Sequence, residues 1–217
     1  MSIHYISQNE LQGILLATVT SVETLGIVAL TDPDLYVNAG GDRKAGVKCP
    51  FKDVQKRAVV KRAMTNFSYL RSRNNENARH HGQQVEALRA EGKLDEAAAL
   101  EAAGAPEHEL QPRKWGERLQ GTPFIRHKGQ LYLEMRLQKD GPAKTIVETS
   151  YFAEGKPVTK DELAPWIKPH KVNENDPVDF MYREYRMDHV VEVRADGEVY
   201  IVNELAPYAE TVKQAAA

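Results

Sequence analysis

Residues 42–73 hold ten Lys or Arg against two acids, Asp42 and Asp53. Lys44, Lys48, Lys52, Lys56, Arg57, Lys61, Arg62, Arg71 and Arg73 are interleaved with Phe51, Phe67 and Tyr69. Lys and Arg neutralise phosphates, and aromatic rings stack on bases, so these residue types in this order predict a surface for nucleic acid. A second group, Arg113, Lys114, Arg118, Arg126 and Lys128, has Trp115 and Tyr132 beside it. The formal net charge is only −2, so the rest of the chain is acidic. A local excess of one sign is the footprint of a polyanion site, and a solvated face produces the same count. On that plainer reading Phe51, Phe67 and Trp115 are core residues and the cations only keep the surface wet.

Catalytic chemistry has less to work with. The chain has no G-x-S-x-G, no H-E-x-x-H and no Walker A loop. "AGGDRKAG" is glycine-rich but lacks the G-K-[ST] ending of a phosphate cradle. A nuclease of the carboxylate–carboxylate–lysine type would use Asp188 or Asp179 with Glu192, but Arg194 stands where a titratable Lys is needed. His80 and His81 are adjacent and diverge by about 100° on a helix, so they cannot clamp one ion. The single cysteine, Cys49, has no partner for a disulfide or a zinc pair. The expectation is a protein that is not an enzyme and holds no cofactor or metal.

These residues need elements to position them. At 217 residues, 41% hydrophobic and 28% charged, the composition is that of a soluble globular chain. No apolar run approaches the roughly 20 residues that cross a bilayer, and "MSIHYISQNE" is not a secretory signal. The expected setting is therefore cytoplasmic, with no membrane partner. Ser7 and Glu10 form a capping box that opens a helix over 8–17. β-Branched runs predict strands over 22–31 and 54–66, with a glycine-rich loop between. Ala, Leu and Glu then predict two helices, 69–90 and a second ending at Gly104, joined as a hairpin. "LYLEMRL" alternates strictly, placing Leu131, Leu133, Met135 and Leu137 on one face and Tyr132, Glu134 and Arg136 on the other. Lys128-Gly129 and Asp196-Gly197 are hairpin turns. Residues 182–195 read as one strand, with Tyr185, Met187, Val191 and Val193 sharing a face. Thr159 and Glu162 cap one short helical turn. Together these predict one α+β domain over 1–217: a bent antiparallel sheet or small SH3- or OB-like barrel, with a helical hairpin over 69–107 protruding from it.

The stretches "PRKWGERLQGTP", "HKGQLYLEMRL", "GKPVTKDELAPW" and "YREYRMDHVVEVRADGEVYIV" resemble a block found in small proteins of tailed bacteriophages. The resemblance covers residues 111–202, with a looser extension from "CPF" at 49–51 to about residue 78. The Ala/Glu-rich segment at about 83–107 departs from it. The resemblance implies a viral origin, a compact β-rich fold and the cytoplasm of an infected bacterium, and it supplies no catalytic residues. The expected function is a phage-type accessory protein that grips nucleic acid, single-stranded or duplex, through the two basic groups. The alternative is a host-directed protein that occupies a bacterial enzyme or defence factor through the acidic segment 83–107.

Overall fold

A computed structural model of the chain describes residues 1–18, 24–33, 35, 49–110, 115–138, 144–167 and 182–211, and every structural statement below concerns these. Helix α1 (Gln8–Ala17) starts at the predicted capping box and buries Leu11 and Leu15. It follows a short strand that the sequence reading did not anticipate, β1 (Ile3–Ile6). The remaining strands are β2 (Leu25–Thr31), β3 (Gln55–Thr65), β4 (Glu117–Arg118), β5 (Phe124–His127) and β6 (Gln130–Arg136). They continue with β7 (Ile146–Ala153), β8 (Lys156–Val158), β9 (Tyr182–Arg186), β10 (Val190–Ala195) and β11 (Glu198–Val202). A short helix α4 (Lys160–Leu163) carries the second predicted capping box.

The eleven strands form one open, branched sheet in an α+β fold. Its main path runs β1-β11-β10-β2-β3-β6-β5-β4; β7 pairs with β3 and β8, and β9 pairs with β6. Pairing is antiparallel except between β1 and β11, which run parallel. The sheet does not close into the barrel that was one expectation. Strands β1 and β4 remain free edges at the two ends of the path, and β4 is only two residues long.

The bend is made within β3. This strand pairs with β2 and β7 over most of its length, then with β6 through Met64 and Thr65. Arg62 marks the handover with φ 60, a left-handed value unusual for a branched-out side chain, and the β2 register slips opposite it. The first half of the sheet (β1, β11, β10, β2, β3, β7, β8) thus folds over the second (β9, β6, β5, β4). Between them lies the main core, which includes Leu11 and Leu15 of α1, Ile27, Val60, Phe124, Leu133, Met135, Tyr185 and Val193. A smaller cluster on the far face of the first half joins Val28, Val59, Val191, Val199 and Ile201 to the segment after β11.

Two boundaries differ from expectation. The single strand predicted over 182–195 is broken by a 3-10 turn, Met187–His189. Tyr185, Met187 and Val193 face the main core, whereas Val191 faces the smaller one. The chain passes from the second half of the sheet to the first at this point, through a 3-10 turn, whereas β3 makes the same passage by a bend at Arg62. Helix α2 (Asn66–Ala90) begins three residues earlier than Tyr69 because Thr65 caps it, accepting from the Ser68 N–H at 3.1 Å.

Helix α3 (Leu94–Ala103) turns back against α2. Val85 and Ala97 are buried at their contact, while Leu94 is 66% exposed. Arg89 reaches Glu101 at 2.6 Å, and residues beyond α3 return along α2 through Asn77 to the Pro106 carbonyl and the His108 N–H to Asn74. At 25 residues α2 is about 37 Å long. Its distal half packs on its own partner helix, which is how a hairpin stands off a sheet.

Candidate nucleic-acid interface

The predicted cations separate onto different surfaces because β3 alternates. Lys56 points toward the main core side and is half-buried; burial and, secondarily, the charge of Arg183 lower its pKa. Arg57 points the other way. Its Nε donates to Ser150 Oγ at 3.1 Å and its Nη1 to the Tyr208 carbonyl at 3.2 Å, with Phe152 beneath the guanidinium. Lys61 shares that face and donates to Glu148 at 2.7 Å, which raises its pKa. Arg62 and Lys52 are exposed.

The outer face of the first half continues into a network around a fully buried carboxylate. Glu192 accepts from Arg194 Nε at 2.6 Å and from the Thr211 N–H and hydroxyl at 3.2 and 2.9 Å. Arg194 also donates to Glu210 at 3.0 Å. Its stem lies flat across Gly26 on the neighbouring strand, where a Cβ would come within 3.3 Å of it. A cleft of about 730 Å³ opens beside it, with Lys61, Arg62, Arg194 and Glu210 among its walls. Lys61 and Arg194 here meet the carboxylates of Glu148, Glu192 and Glu210, so their charge is matched and Arg194 is fixed in place. Glu192 is thereby occupied by Arg194 and Thr211. Asp188, the carboxylate proposed beside it for nuclease chemistry, is bonded to Arg186; Asp179 lies outside the described residues.

The outer face of the second half is different in kind. Tyr132, Glu134 and Arg136 share it, as the alternation of β6 predicts. At one end Trp115 stacks on His127 with ring centroids 4.3 Å apart and meets Tyr132 edge-on at 5.0 Å. Trp115 is folded onto the sheet by Gly116, whose φ is 70 and whose absent Cβ would lie 2.4 Å from Ile125 Cγ2. Glycine supplies both the left-handed backbone and the room. At the other end the Arg136 guanidinium lies 3.5 Å from the centroid of the Tyr69 ring. His108 approaches Tyr69 edge-on, and Arg73 donates to its hydroxyl at 3.1 Å while pairing with Glu76 at 2.6 Å. Between the two ends Glu134, 2% exposed, accepts from Nε and Nη2 of Arg118, at 2.9 and 3.3 Å. Lys128 is exposed at the rim, in the hairpin turn with φ 48, whereas Arg126, also exposed, lies opposite Leu131 and so on the other side of β5 from His127.

Of the predicted residues, Tyr69 and Arg73 therefore gather at one end of this face and Lys128 lies at the other, while Arg126 is on the opposite side of its strand. Arg57 and Lys61 lie on the opposite half of the sheet. Phe67 is half-buried in the first turn of α2, outside the main core, the far-face cluster and a third small cluster of Val54, Ala153 and Leu163, and Arg71 is exposed further along. Lys44, Lys48, Arg113 and Lys114 lie outside the described residues. Sequence reasoning missed Arg136, although the alternation of "YLEMR" already placed it on the face of Tyr132. Among the described residues no group of three or more His, Cys, Asp or Glu could hold a metal ion, and no helix is long and apolar enough to cross a membrane.

Comparison with protein-family models, with curated proteins and with solved structures finds no match to this chain.

Proposed function

We propose that the protein binds nucleic acid through the outer face of the second half of the sheet, as an accessory protein with no catalytic step of its own. The observation that supports this most is that one strand, β6, joins two aromatic groups, one of which carries a guanidinium partner. Trp115, His127 and Tyr132 gather at one end, and Tyr69 lies beneath Arg136 at the other. Rings and guanidinium planes are what bases stack on, and the rim cation Lys128 is placed to meet a phosphate. The phage-type origin and bacterial cytoplasm implied by the resemblance belong to the same proposal.

The test is a titration of labelled oligonucleotides at several salt concentrations. Lys128→Ala should flatten the salt slope by about 0.7 for a single strand or about 0.9 for a duplex. Arg57→Ala and Lys61→Ala should leave it unchanged. Absence of salt-sensitive binding at low salt, or loss confined to the Arg57 and Lys61 variants, overturns the reading.

The exposed distal half of the α2–α3 hairpin, with Leu94 66% exposed, supports a second reading in which the partner is a host protein. Replacing residues 84–104 with a short Gly/Ser linker separates the two. Nucleic-acid affinity should survive the replacement, whereas a partner held by the hairpin is lost.

A further inference from the structure

Resting on the nucleic-acid reading above, we infer that the ligand is a short single-stranded run laid along β6, with a base stacked at each end of the strand. The first station is Trp115, His127 and Tyr132; the second is Tyr69 under Arg136. Tyr132 and Arg136 point to the same side of β6 four residues apart, a separation of about 13 Å.

The ground between the stations argues against a duplex. Glu134 is buried there under Arg118, and Glu184 sits directly across from it on β9. Most cations of this face are already matched: Arg118 to Glu134, Arg186 to Asp188, and Arg73 to Glu76. A duplex shows the protein its phosphates and keeps its base faces stacked inside. Its affinity comes mainly from neutralising phosphates, which this face offers only through its rim. A single strand exposes base faces, and every base has one. Its backbone can follow the rim past Lys128 while bases turn inward to the stations, clear of the carboxylates at the centre. One rim contact predicts a shallow salt slope, about −0.7 for a single strand.

The chain has two tryptophans, Trp115 and Trp166, so Trp166→Phe leaves Trp115 as the only indole. In that background, mixed-sequence single-stranded oligodeoxynucleotides of increasing length should quench the Trp115 fluorescence. Affinity should rise with length until both stations are bridged and then level off. The duplex of the longest oligonucleotide should give no quenching and bind at least about tenfold more weakly. Trp115→Leu and Tyr69→Leu should each weaken binding about five- to 150-fold, the range expected for one stacked base. Trp115→Phe, which keeps an aromatic plane, should retain most of the affinity, and a melting curve for each variant shows that it folds. Binding with unquenched Trp115 and unchanged affinity in the two Leu variants overturns this inference and leaves the nucleic-acid reading standing. So does a duplex that binds as well as the single strand. If neither form binds, the reading beneath it falls as well.

Discussion

Arg194 and Arg136 are both partly exposed arginines on the outer face of a sheet, and they are set to opposite uses. Arg194 is held by Glu192, Glu210 and Thr211, and it ties the segment after β11 to the sheet. Arg136 lies over a tyrosine ring. The same division holds for their surroundings. On the first half of the sheet Arg57 and Lys61 are bonded to Ser150, the Tyr208 carbonyl and Glu148. On the second, rings and guanidinium planes lie together beside the exposed rim cation Lys128. A count of Lys and Arg along the chain cannot make this distinction, because it depends on which acids the fold brings up from elsewhere.

The largest effect that separates the two faces should come from Glu192→Ala. Removing a fully buried carboxylate leaves Arg194 bonded to Glu210 but no longer to its main partner. Breaking a buried pair costs about 3–5 kcal/mol; with Arg194 34% exposed, about 3 kcal/mol is expected. Denaturant melts should show this loss while oligonucleotide affinity of the folded fraction stays unchanged. A drop in affinity beyond the loss of folded protein would mean that the first half also contributes to binding.

The next effect is shared by both halves and serves as their control. Tyr185 projects from β9 into the common core, and burial pushes its hydroxyl up to about 12. The folded form keeps this proton while the unfolded chain, titrating near 10, has released it. The group's contribution to stability is therefore complete below pH 10 and is lost as pH rises toward 12. Two units correspond to about 3 kcal/mol. Melts between pH 9 and pH 12 should show this decline, and Tyr185→Phe should flatten it. An equally steep decline in the variant would assign the alkaline loss to other groups.

Much of this architecture is legible where chemistry is local. The capping boxes at Ser7 and Thr159, the stop at Gly104 and the turns at Lys128-Gly129 and Asp196-Gly197 depend on a few adjacent residues, and all appear in place. A third turn of the same kind, Glu154-Gly155, went unread because the strand after it, β8, has only three residues and contains Pro157. What depended on distant partners was not legible. Nothing local reveals that the strand over 182–195 must change halves at Met187, or that Arg62 takes a left-handed backbone so that β3 can serve both. The candidate face was half visible. The alternation of β6 put Tyr132, Glu134 and Arg136 together, but Tyr69 arrives from a helix more than sixty residues earlier in the chain. Phe67, which the sequence made an equal candidate, lies outside this aromatic group.

The smallest effect addresses the comparison most directly. An arginine over a tyrosine contributes about 0.5–1 kcal/mol at an exposed site. Arg136→Met keeps the aliphatic stem and removes the guanidinium plane, so its cost in stability should be in that range. Combining it with Tyr69→Leu forms a double-mutant cycle whose coupling should match, since neither side chain can stack once the other is gone. Arg57→Met should cost about 1 kcal/mol, because it gives up two hydrogen bonds at a half-exposed site. In stability the two arginines are thus nearly equivalent. Binding should tell them apart: Arg136→Met should weaken oligonucleotide affinity by more than its loss of stability, and Arg57→Met should not weaken it. Equal affinities for the two variants, with a cycle coupling near zero, would mean that Arg136 rests on Tyr69 only as packing and that the two faces differ in appearance alone.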